Sequence, residues 1–186
     1  MESIQRFFIG GLLFGLVHLS KYNVVVFALL TLLAYFMSFI ELLTLPTKYQ
    51  KVYRTLLLIN YLAIINIFYN LNRYNEISKI IIYNSTSDAI QYIVGRTIGN
   101  HKPFSFTSKS IEGYISGLVL THYIFNYDYF FILLNMIGMF GGMLSSILKR
   151  RLKKKHWSNI LGHHGGINDR LDSLSIPIIM YLSFSK

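Results

Sequence analysis

The residues best equipped for chemistry gather in the second half of the chain. Asp169 and Asp172 stand three apart, so on a helix both carboxylates project from one face, suited to sharing a hard divalent cation with phosphate oxygens and water. The same spacing describes an ordinary helix start, where acids meet the positive end of the dipole. Scarcity favours the cation: the chain has only 8 Asp and Glu, and these two follow a flexible Gly165-Gly166 beside a basic run. Upstream, Ser146, Lys149, Arg150 and Lys153 fall at i, i+3, i+4 and i+7, which on a helix makes one basic stripe able to hold phosphates. Alone, that stripe reads better as a stop-transfer cluster; the downstream histidine and aspartates reverse the preference. Asp88, Tyr92, Gly95, Arg96 and Gly99 line one side of another helix, polar and small where lipid would ask for apolar residues. The competing reading is a helix end capped by Asp88, with glycines allowing close packing. His163 and His164 point different ways on a regular backbone and have no soft ligand nearby, which argues against zinc. Gly165-Gly166 would instead let the backbone approach a phosphate, with His164 donating a hydrogen bond or fixing the turn.

The elements that must position these residues are apolar. A hydrophobic content of 53% with 14% charged residues, and a mean hydropathy of +0.43, exceed what the core of a soluble domain of this length needs. The apolar blocks run roughly 7–19, 24–45, 55–71, 77–98, 111–127, 129–148 and 176–184, and the longest is interrupted by one acid, Glu41. Unpaired backbone groups are costly in hydrocarbon, and the blocks lack the period-two alternation of a barrel. The expectation is an all-α, polytopic transmembrane helical bundle of about five to seven spans. Arg6 followed by Phe7 to Leu19 looks like a signal-peptide core, but no small-x-small cleavage site follows, so it is expected as a retained first helix or a re-entrant segment.

The formal net charge of +10 sits in short stretches between apolar blocks, above all Lys149, Arg150, Arg151, Lys153, Lys154 and Lys155. That placement fits the positive-inside rule and anionic membrane lipids rather than nucleic acid. Without cysteine there are no disulfides and no thiolate metal sites. Tyr and Phe, 14 of each, are scattered too evenly for a base-stacking platform. Residues 1–75 hold no constellation of titratable groups, and 1–83 read as N-terminal scaffold helices, whereas 84–186 contain two polar connecting segments, 84–113 and 149–173, where function is expected.

The second of these segments resembles the signature of the phosphatidate cytidylyltransferases (CDP-diacylglycerol synthases). In that family a Ser and a Lys-Arg pair precede His-Gly-Gly, two residues, Asp-Arg, one residue and Asp; here these are Ser146, Lys149-Arg150, His164-Gly165-Gly166, Asp169-Arg170 and Asp172. Asp88, Tyr92, Gly95-Arg96, Gly99, Lys109, Ser110 and Glu112-Gly113 are similar to an upstream block of the same family. The resemblance covers about the last hundred residues and makes 84–186 a cytidylyltransferase-like catalytic membrane region. It departs at Gly142 and Ser145, where the family has an aspartate and a glutamate, at His156, where it has an aspartate, and at Gly162-His163, where it has Pro-Gly.

The resemblance implies condensation of CTP with phosphatidate, or a similar lipid phosphate, to give CDP-diacylglycerol and pyrophosphate. It implies catalytic roles for Lys149, Arg150, His164, Asp169, Arg170 and Asp172, and substrate binding by Arg96, Lys109, Ser146, Gly165 and Gly166. Asp88, Asp169 and Asp172 would hold Mg2+, with a second monovalent or divalent cation left open, as is a homodimer. Cytosolic nucleotide and the positive-inside bias together put the active segment on the cytoplasmic side. The alternatives are a CTP-dependent lipid kinase and, from the two replaced acids, a catalytically inactive membrane scaffold or headgroup binder.

Overall fold

The computed structural model describes residues 15–16, 18–43, 50–102, 107, 109–158 and 165–184. Every regular element among them is helical: α1 (Val24–Leu43), α2 (Gln50–Tyr69), a 3-10 turn (Leu71–Arg73), α3 (Tyr74–Thr97), α4 (Ile111–Phe125), α5 (Tyr129–Arg151), the single turn α6 (Asn168–Leu171) and α7 (Ser175–Phe184). The all-helical expectation is met. The segment expected as a retained first helix, Phe7 to Leu19, lies largely outside the described residues.

Two helices are long and apolar enough to cross a membrane, Val24–Glu41 and Tyr129–Arg151; Leu58–Tyr69 and Ser175–Phe184 are apolar but shorter. The burial of α1 is the inverse of a water-soluble helix. On α1 the exposed positions include Leu29, Leu33, Phe36 and Ile40, while Thr31, Ser38 and Glu41 are buried. Such a surface suits a hydrocarbon solvent, with polar groups turned inward to find partners.

Local chemistry sets the helix ends. Asn23 starts α1 by accepting from the Val25 N–H at 2.8 Å, and Ser110 starts α4 by accepting from the Gly113 N–H at 3.1 Å, both as N-caps. Asn126, at φ 46°, closes α4 in the left-handed conformation. The most extensive packing is between α3 and α4. It depends on small residues, since a Cβ at Gly113 would stand 2.7 Å from the Gln91 carbonyl and one at Gly117 2.5 Å from Gln91 Cγ. The apolar core gathers Phe27, Ile67, Ile77, Ile80, Tyr83, Phe131, Leu134 and Ile178.

One face of α5 decides where the loop after α6 lies. Gly138, Gly141, Ser145 and Lys149 follow one another at helical spacing. A Cβ at Gly138 would be 2.6 Å from the Ser173 carbonyl oxygen, and one at Gly141 2.7 Å from that of Asp172. The glycines thus let the Asp172–Ser173 backbone lie directly on the helix, below Lys149. The four-residue basic stripe expected from sequence is not formed: α5 ends at Arg151 and Lys153 is left-handed at φ 55°. Lys149 turns inward, while the exposed Arg150 donates to the Lys154 carbonyl at 3.3 Å.

Candidate active site

The Lys149 ammonium lies 2.7 Å from Asp169 Oδ1 and 3.4 Å from Asp172 Oδ2, with side-chain exposures of 11%, 7% and 10% for the three residues. Asp169 is held from its other side. Its Oδ2 accepts the backbone N–H of Trp157 at 3.0 Å and that of Gly166 at 2.9 Å. Gly165 makes this wrap possible: its φ is +83°, and a Cβ there would stand 2.8 Å from both Asp169 Oδ2 and His156 Nδ1. Burial pushes the Asp172 carboxyl up to about 6, against the pull of Lys149 and Ser145 and with the negative charges of Asp169 and Asp88 adding to the rise. Burial likewise pushes the His156 imidazole down, with Asp169 opposing.

A second lysine–aspartate unit comes from the upstream block. Lys109 Nζ donates to Asp88 Oδ1 at 2.7 Å and to Gln91 Oε1 at 2.8 Å. Gln91 is itself aimed, because its Nε2 donates to Ser87 Oγ at 3.0 Å and Ser87 Oγ donates to the Gly117 carbonyl at 3.2 Å. Ser173 connects the two units by donating to Asp88 Oδ2 at 3.3 Å. Residues spread from Asp88 to Asp172 therefore form one partly buried ionic patch of two ammonium groups and three carboxylates.

The remaining expected site residues are arranged differently. Ser146 Oγ donates to the Gly142 carbonyl within its own helix at 2.9 Å. The exposed Arg96 donates to Tyr92 Oη at 2.9 Å, and Arg170 is exposed on α6. The Gly166 N–H, expected to face a phosphate, is directed at Asp169. His164 lies outside the described residues.

The expected metal set is not gathered as three carboxylates around one point: among the described residues no group of three His, Cys, Asp or Glu side chains could hold a metal ion. Lys109 takes Asp88, leaving Asp169 and Asp172 to converge. Two carboxylates within reach of one cation, here the Lys149 ammonium, still suit Mg2+, which usually binds one or two carboxylates plus phosphates and keeps waters. The donors are hard oxygens, the ligand type Mg2+ prefers.

Sequence reasoning missed Glu41. Fully buried in the last turn of α1, it accepts from Ser158 Oγ at 2.8 Å, the Ile167 N–H, the Asn168 N–H at 3.1 Å and Asn168 Nδ2 at 2.7 Å. The reading of 1–83 as scaffold helices took no account of this residue, which accepts bonds from the loop that carries Asp169. The available signal was a lone acid in an apolar block with Ser38 one turn before it.

The model of the cytidylyltransferase family matches residues 2–185, reaching the first eighty residues where no motif was legible. The chain is 33% identical to a phosphatidate cytidylyltransferase of Staphylococcus haemolyticus over 114 residues, 52% of this chain and 44% of that protein. It is 31% identical to one of Bacillus subtilis over 121 residues, 55% of this chain and 44% of the relative. With one of Aquifex aeolicus it shares 30% identity over 105 residues, 50% and 40% of the two chains. The chain thus spans less than half the length of the curated relatives it matches. No solved structure matches it.

Proposed function

This chain belongs to the cytidylyltransferase family, and from that premise we propose that it condenses CTP with phosphatidate into CDP-diacylglycerol and pyrophosphate. The observation that carries the reading is the ionic patch in which Lys149 meets Asp169 and Asp172 while Lys109 meets Asp88. A phosphate oxygen of phosphatidate, already ionised near neutrality, attacks the α-phosphorus of CTP, and the bond to the β-phosphate breaks with its electrons leaving on pyrophosphate. No side-chain nucleophile is required. The physical difficulty is to hold two polyanions together in line, and fixed ammonium groups in a water-poor site are suited to it. Lys149 and Lys109 exchange their carboxylate partners for phosphate oxygens, while exposed Arg150 and Arg170 meet phosphates at the rim. Asp169 and Asp172 would hold Mg2+, which when bound neutralises triphosphate charge and favours departure of pyrophosphate.

On this reading the protein is a multi-pass membrane protein, with α1 and α5 supported by further helices as five to seven spans. The basic run after α5 puts the patch on the cytoplasmic side, where CTP is found. A second reading, a non-catalytic headgroup-binding scaffold, is favoured by one observation: Gly142 and Ser145 stand on the site face of α5 where the resemblance calls for acids, and Ser145 Oγ is engaged by Trp157 Nε1 at 3.1 Å.

The test is turnover by purified full-length protein with phosphatidate, Mg2+ and CTP labelled at the α- or γ-phosphate. Label from the α-position in lipid with release of pyrophosphate is expected. Label from the γ-position in lipid would mean a kinase, and no transfer of either would leave the scaffold reading.

A further inference from the structure

We infer that Glu41 is a positioning residue: from α1 it holds the loop around Ser158 and Gly166–Asn168 against the bundle and so sets where Asp169 meets Lys149. Nothing about a lone acid in an apolar helix requires this; the geometry does. Among the described residues, four donors converge on the two carboxylate oxygens from a stretch 117 to 127 residues further along the chain. A buried carboxylate is tolerated when its lone pairs are filled in this way. Asn168, which supplies two of those donors, immediately precedes Asp169. Its own Oδ1 accepts from Ser38 Oγ at 2.9 Å and from Asn60 Nδ2 at 2.9 Å. The anchor has also selected its neighbour, since a Cβ at Gly166 would stand 2.2 Å from Glu41 Oε1. The second glycine of the Gly165-Gly166 pair thus makes room for Glu41, and the first for Asp169.

The chain's single tryptophan reports on this arrangement. Trp157 is buried, its backbone N–H donates to Asp169 Oδ2, and its neighbour Ser158 donates to Glu41. An amide at position 41 can accept from one side only and turns an N–H toward donors, so Glu41→Gln should loosen the loop without removing bulk. Changing Asn168→Asp in the same chain restores an acceptor opposite the new amide and keeps the net charge.

The kinetic arm rests on the proposed reaction; the fluorescence arm does not. In full-length protein in detergent, Glu41→Gln is expected to move Trp157 emission to longer wavelength with helix content unchanged, and to lower kcat on the order of 10- to 100-fold, because a misplacement of about 1 Å can cost that much. KM for CTP should stay within about threefold, as expected when ground-state binding is retained. The double variant should recover wild-type emission and most of the lost rate. Wild-type emission and kcat in Glu41→Gln would overturn the inference. A loss of helix content that the double variant does not restore would overturn it too, by making Glu41 a general stability residue. Should the wild type show no turnover, the proposed reaction fails, and the emission of Glu41→Gln and the double variant still decides the role of Glu41.

Discussion

Ser173 Oγ lies 3.3 Å from Asp88 Oδ2, and through that bond the loop after α6 touches α3, 85 residues earlier in the chain. The contact brings both polar segments of the sequence to one end of the bundle. It exists because Gly138 and Gly141 leave no side chain between α5 and the Asp172–Ser173 backbone.

Gly141→Ala therefore tests the seat of the site. The added Cβ would stand 2.7 Å from the Asp172 carbonyl oxygen, a backbone atom that cannot rotate away. Overpacking of this kind costs about 1–3 kcal/mol. Thermal unfolding should show a folded, modestly destabilised protein, while turnover falls by more than tenfold because Asp172 is displaced from Lys149.

Lys149→Met removes the buried cation between two carboxylates. Breaking such a pair leaves an uncompensated charge, worth roughly 3–5 kcal/mol. A lowered thermal midpoint in chelator, partly recovered on adding Mg2+, is expected, together with loss of turnover. A midpoint insensitive to Mg2+ in this variant would argue against cation binding by Asp169 and Asp172.

Asp172→Asn separates stability from activity. Burial raises the folded-state Asp172 carboxyl to about 6 from its ordinary 3.8, so between those values the folded protein binds more protons than the unfolded chain. Its contribution to stability is then largest at low pH, falls as pH rises from about 4 to 6, and is flat above. In chelator, the wild-type thermal midpoint should carry this downward component and Asp172→Asn should lack it. Turnover by the variant should be abolished, as expected when an interaction needed in the transition state is lost.

Gly142→Asp restores an acid at a position with room for one, since a Cβ there would make ordinary contact with Ser173 Cβ at 3.7 Å. If the protein is an enzyme short of a ligand, the variant should reach half-maximal rate at lower Mg2+ concentration. A scaffold should gain nothing, and titration of initial rates against Mg2+ distinguishes the two.

Topology can be read from a single cysteine, because the chain has none. Lys155 is exposed beyond the end of α5, so Lys155→Cys should react with an impermeant thiol reagent from the cytoplasmic side of sealed vesicles. Labelling from the opposite face would invert the proposed orientation and separate the site from cytosolic CTP.

Much of this protein is legible in its sequence because its solvent is apolar. Long blocks such as residues 24–45 can satisfy their backbone in hydrocarbon only as helices, and the spacing from Lys149 to Asp172 carries the resemblance on which the functional reading rests. Periodicity identified which residues share a helix face. It could not show that α5 ends at Arg151 and drops Lys153 from the stripe, because the left-handed turn there is made by a lysine and has no glycine to announce it.

Partnership was decided by the tertiary structure alone. Asp88, Asp169 and Asp172 look alike in sequence, yet Lys109 reaches the first and Lys149 the other two, which divides the expected three-acid set. Glu41 reads as a blemish in an apolar helix until a loop more than a hundred residues away closes on it. Hydrophobic pattern is a local property, written in neighbours along the chain. The assembly of a buried ionic site is nonlocal, set by which backbones can approach closely enough for donors to fill a carboxylate's lone pairs, and that depends on glycines and helix crossings that only the folded bundle brings together.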